Sequence, residues 1–374
     1  MMIKDVRTYK VCYESINKEE DALAVRAGAK HPMEIVLTEI ETDDGYVGIG
    51  ESLSYGCADI TKQTIDKIIR PLIVNEDEER IEYLWNKIYR ATLRYGRRGI
   101  IIGALSGVDI ALWDILGKKA KKPLYKLLGG SSNMVRAYIT GGYYAPGKGI
   151  KELQDEFLMY VKQGFKGVKV KIGALKIEDD INRVKAVKDV VGDETLIAVD
   201  ANNVYSYDEA LRMGKELEKI GIWFFEEPLQ TDLIDLSAKL AQVLDVPIAG
   251  YETAFTRWEY YEIMKRGAVD IVQVDASFSG GISEFIKIAH IANVMGYPII
   301  PHYSATAVSL VANLHVAAAL GFEWIEYHLR PNKLRDELFK EKIEIENGYL
   351  KVPERPGLGF TIRDDAYEIF RCKD

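Results

Sequence analysis

The chain has 374 residues, 48% of them hydrophobic and 28% charged, and a formal net charge of −8. Such a composition fits a folded protein with a large core and excludes a mainly disordered chain. The negative balance, with no block rich in lysine or arginine, argues against nucleic-acid binding, so a small anionic ligand would need a local positive site.

Residues 3–14, 34–42 and 46–53 alternate or run apolar with β-branched side chains, and Asp43-Asp44-Gly45 is a hairpin signal, so the chain is expected to start as a small antiparallel sheet. From about residue 58 to 128 the period becomes helical: Ile65, Ile68, Ile69 and Leu72, then Ile81, Leu84 and Ile88, then the long stretch from Ile100 to Leu116. Three helices are expected there. Gly129-Gly130-Ser131-Ser132 marks a loop, and 135–140 is a first strand of a new series. Strand and helix signals then alternate to about Leu329, with strands at 167–172, 196–200, 223–226, 248–252, 271–275, 299–302 and 324–326. Amphipathic stretches at 179–191, 206–220 and 282–294 lie between them, the pattern of parallel βα units. A hairpin signal at 343–352 is expected to rejoin the amino-terminal sheet. A barrel takes about 250 residues and leaves roughly 100 for a second unit. The expected division is a capping α+β unit at 1–130, a barrel at 131–329, and a segment at 330–374 that returns to the cap.

Cys12, Cys57 and Cys372 show no CxxC spacing, so neither a zinc site nor a disulfide framework is indicated, and reduced thiols are expected. The amino terminus lacks the apolar core of a secretory signal, and no run approaches the roughly 18 to 20 apolar residues that span a bilayer. The expectation is a cytoplasmic protein without membrane association. Gln is sparse while Ile, Lys and Glu are plentiful, a bias met in heat-adapted proteins.

Lys171, Asp200, Glu226, Glu252, Asp275, His302 and Glu326 each end a short apolar run, at intervals of 29, 26, 26, 23, 27 and 24 residues. One reactive group at the carboxyl end of each successive strand converges on one face of a closed barrel. Any one carboxylate could be a helix cap or a surface ion pair. Asp200, Glu226 and Glu252 on three consecutive strands would repel one another without a cation, and an all-oxygen set selects a hard ion, Mg²⁺, with Mn²⁺ as a substitute. Lys169 and Lys171 share one strand face. Neighbouring positive charge is expected to bring Lys171 toward neutrality as a base. Asp275 can hold His302 by its Nδ1–H, making the imidazole a second acid/base group. His31, His290, His315 and His328 have no comparable partner in this pattern; His290 and His315 read as structural, and His31 as part of a loop near the site.

These residues resemble the enolase superfamily, and within it the mandelate racemase subgroup. The resemblance rests on Asp44 to Glu51, Ser106 to Asp114, the Lys169-Val170-Lys171 pair, Asp200-Ala201-Asn202 and Glu226-Glu227-Pro228. It continues in Gly250-Tyr251-Glu252, the run Asp275 to Gly281 before His302, and Pro356-Gly357-Leu358-Gly359. It implies a modified (β/α)₈ TIM-type barrel, (β/α)₇β, with an α+β capping domain. It also implies that Asp200, Glu226 and Glu252 bind Mg²⁺, that Lys171 and His302 flank the substrate, and that Asp275 partners His302. Glu326 resembles a residue that helps to stabilise an enolate, Asn202 a contact to a substrate hydroxyl, and Glu227 a neighbour that does not bind the metal. Amino-terminal loops within 15–33 and around 53–56 would close the site, and a homo-oligomer, from dimer to octamer, is implied.

The chemistry shared by such enzymes is removal of a proton α to a carboxylate, with the metal and a helper, here Lys169, neutralising the enolate. Cycloisomerase and dipeptide epimerase relatives carry a lysine near the end of the sixth strand, where Gln273-Val274-Asp275 has none. The charged segment 13–30 suits a polyhydroxylated substrate better than an aryl one, and Tyr95 to Gly99 resembles the sugar-acid dehydratases. The expected activity is Mg²⁺-dependent dehydration of an aldonate such as arabinonate, fuconate, gluconate or galactonate to a 2-keto-3-deoxy acid. A racemase or epimerase of a 2-hydroxy acid using the same Lys/His pair, and a non-catalytic ligand-binding barrel, are the alternatives.

Overall fold

Three strands, β1 (Ile3–Tyr13), β2 (Met33–Thr42) and β3 (Val47–Leu53), form an antiparallel sheet in that order. The computed structural model describes residues 1–13, 19–28, 33–54 and 56–372; of the expected loop positions, His31 and residues 15–18, 29, 30, 32 and 55 lie outside them. Both faces of β2 are covered, because alternate side chains point opposite ways. Val36 and Ile40 pack with the helices that follow, whereas Ile35 and Leu37 join the core shared with the barrel.

The main helical segments after the sheet are 58–73, Ile81–Thr92 and Ile100–Lys119. The last lies directly on β3: a Cβ on Gly50 would sit 1.8 Å from the Gly107 carbonyl oxygen, and one on Gly48 2.1 Å from that of Ala111. Only glycine allows backbones this close. Contrary to expectation, this helix is by length and composition apolar enough to cross a membrane, yet most of it is buried within the protein. Its Asp109 accepts from Ser283 N at 2.9 Å, and its Asp114 accepts from Ile49 N at 3.0 Å and from Leu358 N at 2.8 Å.

The barrel comprises eight parallel strands: β4 (Met134–Gly141), β5 (Gly167–Lys171), β6 (Leu196–Asp200), β7 (Phe225–Glu226), β8 (Ile248–Gly250), β9 (Ile271–Val274), β10 (Ile299–Pro301) and β11 (Trp324–His328). Neighbours pair in sequence order from β4 to β10, and β11 pairs with β4 from Trp324↔Arg136 to His328↔Thr140. A helix of ten residues or more follows each of the first seven strands, whereas β11 leads only to the short helix Lys333–Asp336. The architecture is therefore (β/α)₇β. Tyr138, Ala198, Phe224, Ala249, Ile271, Ile300 and Trp324 fill the barrel interior, so the site can form only at its open carboxyl end.

The expected carboxyl-terminal hairpin exists, as β12 (Ile345–Glu346) and β13 (Tyr349–Lys351) turning at Asn347 and Gly348, both at positive φ. Its partner differs from the expectation. β13 pairs antiparallel with β4, Tyr349 opposite Arg136 and Leu350 opposite Val135, and not with the amino-terminal sheet. This places the fully buried Leu350 beside buried Val135, a partner that a hairpin signal alone cannot identify. The last residues do reach the sheet: Val11 bridges Arg371, Tyr367 stacks on Tyr9 at 3.7 Å, and the Tyr367 hydroxyl donates to Glu39 at 2.6 Å.

Candidate active site

Parallel register sets the first row of the site. Lys171 lies opposite Asp200, and Asp200 opposite Glu226, so the ends of β5, β6 and β7 form one line. Glu252 follows β8 by two residues, Asp275 follows β9 directly, His302 follows β10, and Glu326 lies within β11. The structure thus brings together all seven strand-end residues, with Lys169 beneath them, and Lys169, Asp200, Glu226, Asp275, His302 and Glu326 are each under 5% exposed.

Lys169 Nζ donates to Glu226 at 2.5 Å and forms ion pairs with Glu326 at 2.9 Å and Asp200 at 3.7 Å. Burial works against its charge, but the carboxylates outweigh burial and hold it protonated. Lys171 donates to Asp200 and, at 3.0 Å, to Asn202 Oδ1. The expectation is a lysine near neutrality; in this arrangement, with Asp200 as its partner, it is held protonated. Burial and Lys169 disfavour the ammonium, yet Asp200 raises its pKa above the ordinary lysine value. Asn202, at φ +45°, is therefore engaged by Lys171 in this arrangement.

On the other flank, His302 Nδ1 lies 2.9 Å from Asp275 and Nε2 3.0 Å from Glu252. Burial opposes protonation, but Glu252 and Asp275 push the imidazole up to about 10. Asp275 is fixed by Ser277 N at 2.8 Å, Ser277 Oγ at 2.7 Å and Asn313 Nδ2 at 3.1 Å. Glu326 accepts from Thr140 and is ion-paired with Lys169; burial is outweighed by Lys169 and His302, and the carboxyl is held ionised. Glu227 turns away from the row, accepting from Asn203 and, at 3.0 Å, from Tyr251 N, and burial beside Glu252 pushes it up to about 8.

Among the described residues, if all are ionised, Asp200, Glu226, Glu252, Asp275 and Glu326 pair with Lys169, Lys171 and His302, an excess of two negative charges. Burial and the charge of Asp200 raise Glu226 well above the usual carboxylate range, and burial raises Glu252. A hard divalent cation among oxygen donors would relieve this repulsion, so the donor set fits Mg²⁺. Among the described residues no three acidic or imidazole groups already converge as a cage. Asp200 and Glu226 spend their oxygens on Lys171, Lys169, Asn202 N and Gln273, and metal ligation requires them to turn from these partners.

Sequence reasoning left several neighbours out. Gln273, two residues before Asp275, donates to Glu226 at 2.7 Å. His328 is fully within the site region, 3.6 Å from Glu326, although the strand-end pattern gave it no partner; its spacing of two from Glu326 on one strand is the signal that places both on one face. Glu20 and Tyr144 exchange backbone hydrogen bonds at 2.9 Å, so part of the expected amino-terminal loop lies beside the barrel mouth. His315 is buried in the helix Ala307–Leu320 and His290 is exposed on Ile282–Met295, both away from this cluster.

Residues 10–129 match the family described as the Mandelate racemase / muconate lactonizing enzyme N-terminal domain, and residues 152–366 the Enolase C-terminal domain-like family. The chain belongs to the enolase superfamily, in its mandelate racemase subgroup. Within that superfamily it is 67% identical over 372 residues to an arabinonate dehydratase of Saccharolobus solfataricus, with 100% of each chain covered. It is 34% identical to a D-galactarolactone cycloisomerase of Agrobacterium fabrum, covering 91% of this chain and 92% of that one. A solved L-talarate/galactarate dehydratase of Salmonella typhimurium LT2, liganded with Mg and L-lyxarohydroxamate, superposes with a TM-score of 0.90 at 31% identity, covering 99% of this chain and 93% of that one.

Proposed function

We propose that this enzyme dehydrates an aldonate, arabinonate first, to the 2-keto-3-deoxy acid, with Mg²⁺ held by Asp200, Glu226 and Glu252. The observation that carries this reading is the 67% identity, over the full length of both chains, to an enzyme named arabinonate dehydratase. Relatives at 34% include both a dehydratase and a cycloisomerase, so similarity at that distance does not select the reaction. The metal, when bound, supplies positive charge to the substrate carboxylate and its enolate. Lys169, protonated and fixed by Glu226 and Glu326, adds a second positive group at the same end. Glu326, held ionised, orients Lys169 and has no proton of its own to give.

With Asp200 engaged by a cation, Lys171 would lose the partner that holds its proton; after releasing that proton to solvent, the neutral amine would take the proton from C2. His302, held by Asp275 at 2.9 Å from Nδ1, gives a proton to the departing C3 hydroxyl. Water leaves, and the enol product becomes the 2-keto acid. The remainder of this reading is a cap of 1–130, joined by the end of the 330–374 segment whose hairpin lies on the barrel of 131–329, in a cytoplasmic homo-oligomer.

Incubation with Mg²⁺ and a panel of acid sugars, with 2-keto-3-deoxy products detected as semicarbazones, tests the activity. Arabinonate is expected to react fastest. Exchange of the C2 proton with deuterated solvent, without elimination from any acid, would mean racemisation or epimerisation; binding without either would mean a ligand-binding barrel.

A further inference from the structure

His328 is 4% exposed, and its two ring nitrogens have different surroundings. Nε2 lies 2.7 Å from the Tyr303 carbonyl oxygen. A carbonyl can only accept, so Nε2 carries the hydrogen and Nδ1 is a bare lone pair. That lone pair has no partner among the described residues. The bond to Tyr303 explains one nitrogen structurally and leaves the other without a role, although a buried polar atom without a partner is costly.

The position of the ring says what can fill it. His328 shares a strand face with Glu326 and lies about 7 Å further toward the barrel mouth. Its ring is 6.3 Å from that of Tyr143, over which Lys171 lies at 5.4 Å and Arg330 at 4.4 Å. Burial, aided by Arg330 and Lys171 and opposed by Glu326, keeps the imidazole neutral, and the same two cations disfavour a metal ion at Nδ1. A carboxylate or ketone oxygen has no hydrogen to offer. The remaining complement is an O–H group.

We propose that His328 is a specificity-determining residue whose Nδ1 accepts a hydrogen bond from a substrate hydroxyl beyond C3. This rests on the aldonate reading above, because the reacting carboxylate belongs deeper, near Lys169. The hydroxyl fills the one unmet valence of a fixed tautomer, so its loss from the substrate leaves Nδ1 buried and unpaired again.

The test compares the best aldonate with its 4-deoxy and 5-deoxy analogues, in the native enzyme, His328→Leu and His328→Asn. The native enzyme should prefer the full acid over one analogue by roughly tenfold in kcat/KM. His328→Leu should bring that ratio close to one, mainly through KM. His328→Asn, with an amide oxygen for the hydroxyl and an amide N–H for Tyr303, should restore much of it. No discrimination in the native enzyme, or an unchanged ratio in His328→Leu, overturns the proposal. If no aldonate is turned over, the dehydratase reading fails separately, and calorimetric binding of the same acids decides on His328. Discrimination lost in His328→Leu supports it; equal weakening of all the acids, or no binding to the native protein, overturns it.

Discussion

Asp275 spends one carboxylate oxygen on Ser277 and Asn313, which leaves the other pointed at His302 Nδ1. The imidazole is thereby fixed in one orientation and its protonated form is stabilised, as an acid for the leaving hydroxyl requires. In Asp275→Asn the carboxylate charge is gone and an amide can present a donor toward Nδ1, so kcat for dehydration should fall by about 10²- to 10⁴-fold. Circular dichroism should be unchanged. Turnover above about a tenth of native would remove Asp275 from the proton-transfer unit. At this scale the identity of the groups was legible, because seven ionisable residues recur at strand ends. Their charge states were not: Lys171 pairs with Asp200 across the β5–β6 register, and that pairing decides its proton more than Lys169 does. His328 was missed for a related reason, since its tautomer depends on Tyr303, 25 residues earlier in the chain.

Two elements meet where β3 lies on the helix Ile100–Lys119, and the contact passes through Gly50 and Gly107. Adding a methyl group in Gly50→Ala forces the backbones apart, with a cost of about 1 to 3 kcal/mol or more. The melting temperature should fall, and activity with it, because the next residue, Glu51, reaches the barrel. A native melting temperature in this variant would mean that the strand and helix are not in backbone contact. Glu51 is buried and accepts from Thr306 N at 3.1 Å, Ser309 N at 2.9 Å and the Thr306 hydroxyl, at the start of the helix Ala307–Leu320. A carboxylate there satisfies donors that the helix itself cannot. Glu51→Ala strands two buried N–H groups, and a loss of about 3 kcal/mol is expected in urea unfolding. An unchanged midpoint would show that Thr306 and Ser309 find other acceptors. The glycine-rich strand and the small-residue helix were both readable in the sequence, but their docking was not. Strand periodicity tells which side chains share a face; it cannot tell that Glu51 meets a helix 255 residues later, nor that the 343–352 hairpin extends β4.

The whole molecule closes around His315. Its Nδ1 accepts from Tyr125 N at 3.1 Å, and Nε2 donates to the Leu358 carbonyl at 3.2 Å, so a barrel helix joins the amino-terminal region to the carboxyl-terminal tail through one neutral ring. Burial lowers this imidazole to about 4, against about 6.5 in an unfolded chain. Between those values the unfolded chain binds a proton that the folded one refuses, so stability is full above about pH 6.5 and falls as the pH drops toward 4. The contribution is on the order of 3 kcal/mol. Glu51 and Asp109 act in the opposite sense. Burial pushes both up to about 7, above their unfolded values, so the folded state binds the extra proton and gains stability as the pH falls from 7 toward 4. Acid unfolding of the native protein therefore mixes both signs, and only a difference isolates the histidine. Urea unfolding of native protein and His315→Gln at several values between pH 7 and 4 should show the native protein losing more stability, with the gap opening below about pH 6.5. Parallel losses across that window would mean that the ring is protonated in the folded state, and that the junction between barrel, cap and tail tolerates a charge.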